Sequence, residues 1–137
     1  MDIRTLTPAY AVSPQIDPAD VAQIADQGFE TVICNRPDAE VPPGQQAEAI
    51  RAAVEQAGLT FVVNPVTHQG LNMQMVEAQS QAAASGKTLA YCASGTRSTI
   101  VWALGQAGTL PVDEIIATAA NAGYDISGMR PQLETLS

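Results

Sequence analysis

The stretch TLAYCASGTRS, residues 88–98, places a cysteine between a short apolar run and the start of a helix. The residues Thr88–Tyr91 predict a buried strand, and those from about Ser98 to Gln106 predict the helix. In an open α/β sheet, ligands bind at the carboxyl ends of the strands. Cys92 is therefore expected at a ligand site.

Turn residues at even spacing divide the rest of the chain into alternating strands and helices. The pattern predicts strands at Tyr10–Ser13, Thr31–Cys34, Leu59–Val63 and Lys87–Tyr91. It predicts helices at Pro18–Gln27, Gly44–Ala57, Leu71–Ser85, Ser98–Gln106 and Val112–Ala122, and a short helix after Gly123. This alternation is typical of a mostly parallel sheet covered on both faces. We expect one α/β domain over residues 1–137, with four or five strands.

The composition excludes several classes of protein. Six lysines and arginines against 14 aspartates and glutamates give a net charge of −8, which disfavours nucleic acids and anionic membranes as partners. With 46% hydrophobic and 15% charged residues, the chain is neither disordered nor a coiled coil. No run of about 18 apolar residues is present, and the first residues lack signal-peptide features. We expect a cytoplasmic protein, in which cysteines more often carry thiol chemistry than structural disulfides.

The residues that follow Cys92 are suited to hold an anion against its sulfur. A tight turn at Ser94 and Gly95 would point backbone N–H groups inward, and the helix that follows adds the positive end of its dipole. These features favour the thiolate of Cys92, although a buried structural cysteine is the alternative. We predict Cys92 and Arg97 as catalytic residues, with Ser98 capping the helix or hydrogen-bonding the thiolate. The predicted anion-binding loop comprises Ala93, Ser94, Gly95, Thr96, Arg97 and Ser98.

The Cys-x-x-Gly-x-Arg-Ser pattern of this loop resembles the active loop of rhodanese-like sulfurtransferases and nearly matches that of cysteine phosphatases. The chain as a whole resembles the bacterial DUF442 family of beta-lactamase hydrolase-like proteins. The residues that carry this resemblance are the loop itself, Ile33–Asp38, Asn64–Val66 and Trp102–Leu104. The resemblance implies a compact fold like that of dual-specificity phosphatases. Such domains are also found fused to persulfide dioxygenases, so the resemblance implies a persulfide dioxygenase or another sulfide-oxidising enzyme as a partner.

Two features distinguish sulfur transfer from phosphoryl transfer. Four residues separate Cys92 from Arg97, as in the rhodanese loop, whereas the cysteine-phosphatase loop has five. The stretch Asn64–Asn72, where a phosphatase carries its general acid, contains no carboxylate. We therefore expect a sulfurtransferase in which Cys92 carries sulfur as a persulfide, from thiosulfate or a glutathione-type persulfide to a thiol or cyanide acceptor. The alternatives are a phosphatase with a phosphocysteine intermediate, and a non-catalytic persulfide carrier or docking module.

Four further residues are candidates for supporting roles. Cys34 ends the strand that the resemblance places beside the Cys92 strand; it either fills core volume or resolves an oxidised Cys92 as a disulfide. Arg36 can pair with Asp38 or contact an anionic donor, and Asp38 is a second candidate for a phosphatase acid. His68 is either a general acid or a solvated loop residue. Neither a zinc-ligand set nor a nucleotide motif occurs, so no metal and no cofactor are expected.

Overall fold

The strand that precedes Cys92 lies at the centre of a five-stranded sheet. The computed structural model describes residues 1–67 and 70–137. Its strands are β1 (Arg4–Thr7), β2 (Tyr10–Ser13), β3 (Thr31–Cys34), β4 (Thr60–Val63) and β5 (Thr88–Tyr91). They lie in the order β1-β2-β5-β3-β4, with β1 antiparallel to β2 and every other pair parallel. The carboxyl ends of the four parallel strands therefore meet at one edge of the sheet.

The helices connect and cover these strands. They are α1 (Val21–Asp26), α2 (Ala47–Gln56), α3 (Met73–Ala83), α4 (Thr96–Gln106), α5 (Val112–Asn121) and α6 (Arg130–Leu136). Local chemistry sets several of their starts: the Asn72 side chain accepts from the Met75 N–H at 3.0 Å to cap α3, and Pro111 precedes α5. Among the described residues, no helix has the length and apolar character that crossing a membrane requires.

Both faces of the sheet are covered, as predicted. Successive side chains of a strand point to opposite faces, so neighbouring strand residues enter different cores. Ile33 and Ala90 pack in one core with Trp102 of α4. Val32 and Leu89 pack in the other. All four strand residues are fully buried, which is why the parallel strands are continuous apolar runs in the sequence.

The largest difference from the predicted elements is β1, which the sequence pattern did not indicate. Its sequence RTLT buries only Leu6, so it carries no recognisable alternation. Helix α1 is also shorter than predicted, because Pro18–Asp20 form a 3-10 turn before it. Helix α4 begins at Thr96, two residues before the predicted start, and this shift changes the role of Ser98.

Candidate active site

Cys92 lies at the junction of β5 and α4 and is 1% exposed. Gly95 is the N-cap of α4 and has a φ of 96°, a left-handed conformation that glycine adopts without strain. Its backbone N–H donates to the Cys92 Sγ at 3.1 Å. Because this N–H and the start of α4 both present positive potential to the sulfur, the loop is built to stabilise a negative charge on Cys92.

Ser98 neither caps α4 nor bonds the Cys92 sulfur, the two roles that the sequence suggested. It is fully buried in the first turn of α4, and its hydroxyl donates to the Asn35 Oδ1 at 2.8 Å. The predicted capping by Ser98 is wrong, because Gly95 occupies the N-cap position. The hydroxyl proton of Ser98 is directed to Asn35 and therefore does not bond the Cys92 sulfur.

Ser98 belongs to a buried amide network that consists of Tyr10, Asn35, Asn64, Gln79 and Ser98. The Asn35 amide nitrogen donates to the Asn64 carbonyl at 2.9 Å and to the Gln79 Oε1 at 2.6 Å. The Gln79 amide nitrogen donates to the Tyr10 Oη at 2.8 Å, and the Tyr10 hydroxyl donates to the Ser98 carbonyl at 3.2 Å. No member is more than 7% exposed. The network therefore fixes the first turn of α4 against the carboxyl ends of β3 and β4.

Sequence reasoning did not identify this network as part of the site. One signal was available: Asn35 and Asn64 each directly follow a buried strand, at the edge of the sheet where ligand sites form. Gln79 gave no such signal, because a glutamine on a helix is ordinarily solvated.

Arg97 is held on two sides. Its Nη1 and Nη2 donate to the two carboxylate oxygens of Glu40 at 2.9 and 2.7 Å, and Nη1 also donates to the Val66 carbonyl at 2.9 Å. The hydrogen bond to Glu40 is the main reason that the pKa of Arg97 is raised, and Cys92 adds to the effect. The bond from Arg97 is likewise the main reason that the pKa of Glu40 is lowered. The Nε–H and one Nη2 N–H remain for Cys92 or for an anion bound above it.

The loop after β3 pairs differently from the prediction. Arg36 pairs with Glu40, with Nε 3.2 Å from Oε1. The Asp38 Oδ1 instead accepts from the Ala47 N–H at 2.8 Å, at the start of α2. The predicted Arg36–Asp38 pair is therefore wrong, because the turn at Asp38–Glu40 directs Asp38 to α2 and Glu40 to the two arginines. Glu40 is the carboxylate that reaches the site, and no helical pattern in this loop could have indicated it.

Cys34 lies in the strand next to β5, paired in register with Tyr91. Its Sγ donates to the Arg36 carbonyl at 3.3 Å, and burial raises the pKa of the thiol. Both cysteines are buried and free. A resolving disulfide between Cys34 and Cys92 stays a prediction, tested by mass spectrometry after mild peroxide. His68, the other supporting candidate, lies outside the described residues.

A model of the family described as "Beta-lactamase hydrolase-like protein, phosphatase-like domain" matches residues 2–109. The chain belongs to this family. A beta-lactamase hydrolase-like protein of Xylella fastidiosa, strain Temecula1, is 32% identical over 132 residues, which cover 92% of this chain and 30% of the relative. The corresponding protein of Agrobacterium fabrum is 31% identical over 125 residues, which cover 87% and 28%. The chain thus spans less than a third of the length of these curated relatives.

Several solved structures share the fold of this chain. A Neisseria meningitidis Z2491 protein whose description proposes a phosphatase is 38% identical, with a TM-score of 0.86 and coverage of 100% and 99% of the two chains. A DUF442 protein of Shewanella putrefaciens CN-32 has 20% identity, a TM-score of 0.72 and coverage of 98% and 85%. The phosphatase Tk-PTP has 14% identity, a TM-score of 0.71 and coverage of 98% and 94%. The predicted family and fold are confirmed, and these descriptions favour a phosphatase over the expected sulfurtransferase.

Proposed function

We propose that the chain is a sulfurtransferase that carries sulfur on Cys92. The observation that supports this proposal most is the short loop of four residues between Cys92 and Arg97. The loop closes so tightly that the Gly95 N–H reaches the Cys92 Sγ at 3.1 Å. A ring of this size suits one terminal sulfur atom on the cysteine better than a phosphoryl group with three oxygens.

The carboxylates of the loop after β3 give a second argument. A phosphatase protonates an alkoxide leaving group, which needs a general acid. Asp38 is bonded to the Ala47 N–H, and Glu40 is ion-paired with a lowered pKa, so that it stays ionised near neutral pH. Sulfite and thiolate leave without a proton. The placement of these two carboxylates is therefore compatible with sulfur transfer and unfavourable for alkoxide release.

The first chemical step transfers one sulfur atom from the donor. The Cys92 thiolate attacks the outer sulfur of thiosulfate and forms a Cys92–S–S⁻ persulfide. The sulfur–sulfur bond of thiosulfate breaks, and its electron pair leaves with sulfite. The N–H of Gly95 stabilises negative charge at the cysteine, and Arg97 orients the dianionic donor with the N–H groups that Glu40 leaves free.

The second step returns Cys92 to its starting state. Cyanide or a thiolate attacks the outer sulfur of the persulfide, and the electron pair of the sulfur–sulfur bond returns to Cys92. The products are thiocyanate or a new persulfide, and no external oxidant or reductant is consumed. Such a covalent intermediate predicts ping-pong kinetics. A persulfide dioxygenase or another sulfide-oxidising enzyme as the partner that supplies or consumes these species stays a prediction.

A phosphatase is the second candidate, because the family and the fold favour it. In this alternative, the Cys92 thiolate attacks phosphorus, the alcohol leaves with a proton from an acid, and water hydrolyses the phosphocysteine. Vanadate would then inhibit the reaction as an analogue of the phosphoryl group.

The test is the intact mass of the protein after incubation with thiosulfate, and separately with glutathione persulfide. We expect a gain of about 32 Da, one sulfur atom, that cyanide removes and that is absent from Cys92→Ser. Cys34→Ala is the matched control, because it removes the other thiol and should keep the adduct. Phosphate release from an aryl phosphate with no sulfur adduct would replace the sulfurtransferase by the phosphatase. An adduct that excess acceptor never turns over would indicate a persulfide carrier.

A further inference from the structure

We propose that Tyr124 is a positioning residue that acts on Cys92 through a single peptide group. The Tyr124 hydroxyl donates to the Ser94 carbonyl, with 2.9 Å between the oxygens. The Gly95 N–H, on the other side of the same peptide bond, donates to the Cys92 Sγ at 3.1 Å. A continuous chain of hydrogen bonds therefore runs from the tyrosine to the nucleophilic sulfur.

The two ends of this peptide group are coupled by its electronic structure. The carbonyl and the N–H of a trans peptide point in opposite directions, and resonance joins them. A donor at the carbonyl oxygen therefore polarises the N–H and strengthens the bond that it makes, an effect of about 10–30% per bond in condensed phases. The same contact also fixes the peptide plane, so that the N–H stays directed at the sulfur.

Gly95 is shaped for this contact. A Cβ at position 95 would overlap the Tyr124 hydroxyl, so the approach of the phenol needs a residue without a side chain. The positive φ of Gly95 makes the same demand independently. Position 95 thus requires glycine for two separate reasons: its left-handed backbone conformation and the close approach of the Tyr124 hydroxyl.

Tyr124 is held rigidly enough to act in this way. It is 6% exposed and follows α5, where the Arg4 guanidinium lies over its ring at 5.2 Å from the centroid. Arg4 also donates to the Ala122 carbonyl at 3.1 Å, which ties the segment to β1. Burial is the main reason that the pKa of Tyr124 is raised, so the hydroxyl keeps its proton at neutral pH. Tyr124 lies beyond residues 2–109, the part of the chain that the family model covers.

The inference rests on the proposed role of Cys92 as the nucleophile, but not on which group Cys92 takes up. A weaker Gly95 donor would destabilise a negative charge on the Cys92 sulfur, whichever group that sulfur then attacks. Tyr124→Phe keeps the ring under Arg4 and removes only the hydroxyl. The other titratable groups that interact with Cys92, which include Arg97, Tyr10 and Cys34, are unchanged in this variant.

The experiment is a pH titration of the thiolate absorbance in the far ultraviolet. Each protein is measured against its own Cys92→Ser version, so that only Cys92 contributes to the difference. We expect the midpoint of Tyr124→Phe to lie about half a pH unit above that of the wild type. Tyr91→Phe is the matched control: it removes a buried hydroxyl that donates no hydrogen bond to the Ser94–Gly95 peptide, so the midpoint should not move.

The Gly95 amide proton gives a second measurement by NMR. In Tyr124→Phe its resonance should move upfield, because the N–H donates more weakly. An unchanged midpoint and amide shift in Tyr124→Phe, or an equal midpoint shift in Tyr91→Phe, would overturn the inference. Because the titration detects the sulfur itself, a failed sulfur adduct together with a shifted midpoint would reject the sulfurtransferase and keep the role of Tyr124.

Discussion

Arg97 and Ser98 are neighbours in the sequence, yet opposite kinds of interaction hold them. The Arg97 guanidinium is paired with Glu40, whose side chain is 34% exposed, near a second arginine, Arg36. The Ser98 hydroxyl is bonded to Asn35 within a neutral network that solvent does not reach. One residue of the loop is held by charges at the surface, and the next by uncharged amides in the core.

This contrast separates a fixed part of the site from an adjustable one. Buried polar groups are costly to leave unpaired, so the amide network keeps the start of α4 in one arrangement. The Arg97–Glu40 pair has good bidentate geometry, but it is partly exposed, so salt screens it and a competing anion can reach it. The Arg97–Glu40 pair can therefore rearrange when an anion binds, while the backbone beneath Cys92 stays in place.

Removing the centre of the amide network should have the largest effect. Gln79 accepts from Asn35 and Asn64 and donates to Tyr10 and Asn35, so Gln79→Leu leaves several buried groups unpaired. We expect the free energy of unfolding to fall by about 3 kcal/mol, measured by urea denaturation. Gln81→Leu, at an exposed site on the same helix, should change it by less than about 0.5 kcal/mol. Equal effects at the two positions would end the distinction between fixed and adjustable parts.

Glu40→Gln should affect anion binding more than folding. The free energy of unfolding should change by less than about 1 kcal/mol, because the pair is partly exposed. Removing one negative charge beside Arg97 should tighten the binding of sulfate about fivefold, measured by calorimetry. Glu48→Gln, which neutralises an exposed partner of Arg51, should leave sulfate binding unchanged. Weaker sulfate binding in Glu40→Gln would instead show that Glu40 mainly orients the guanidinium.

The pH dependence of the Arg97–Glu40 pair should be a smaller effect. The pKa of Glu40 is lowered in the folded chain, chiefly by Arg97, so its contribution is present above the ordinary glutamate pKa of about 4.3. The contribution is lost as the pH falls below that value, through the lowered pKa. The difference in melting temperature between wild type and Glu40→Gln should therefore be constant near neutral pH and shrink below about pH 4. A difference that grew on acidification would contradict this assignment.

The sequence predicts the frame of the molecule better than the contacts within the site. The apolar run at Thr31–Cys34 predicts β3 to the residue, and the run at Lys87–Tyr91 predicts β5 to within one residue, because parallel strands buried on both faces leave a continuous pattern. The order of Cys92, Gly95 and Arg97 likewise indicates the loop, since a tight turn favours glycine and an anion site at a helix start favours the other two residue types. The sequence pattern is sufficient to predict an element or loop whose contacts join residues close together in the chain.

The contacts that were missed join residues far apart in the chain. Glu40 meets Arg97 across 57 positions, and Tyr124 meets Ser94 across 30. Neither glutamate nor tyrosine carries a local signal for such a partner, because the pairing depends on how loops converge at the sheet edge. The start of α4 was misjudged for a related reason: Ser98 has the residue type of a helix cap, whereas the left-handed Gly95 takes that place.

The central position of β5 has a consequence for the way the protein comes apart. Hydrogen bonds join β5 to a parallel neighbour on each side, and Leu89, Ala90 and Tyr91 are fully buried. Backbone amides in such a strand exchange with deuterium only when most of the molecule opens. Cys92 is thus attached to the segment that opens last, so heating should abolish its chemistry only when the whole sheet melts.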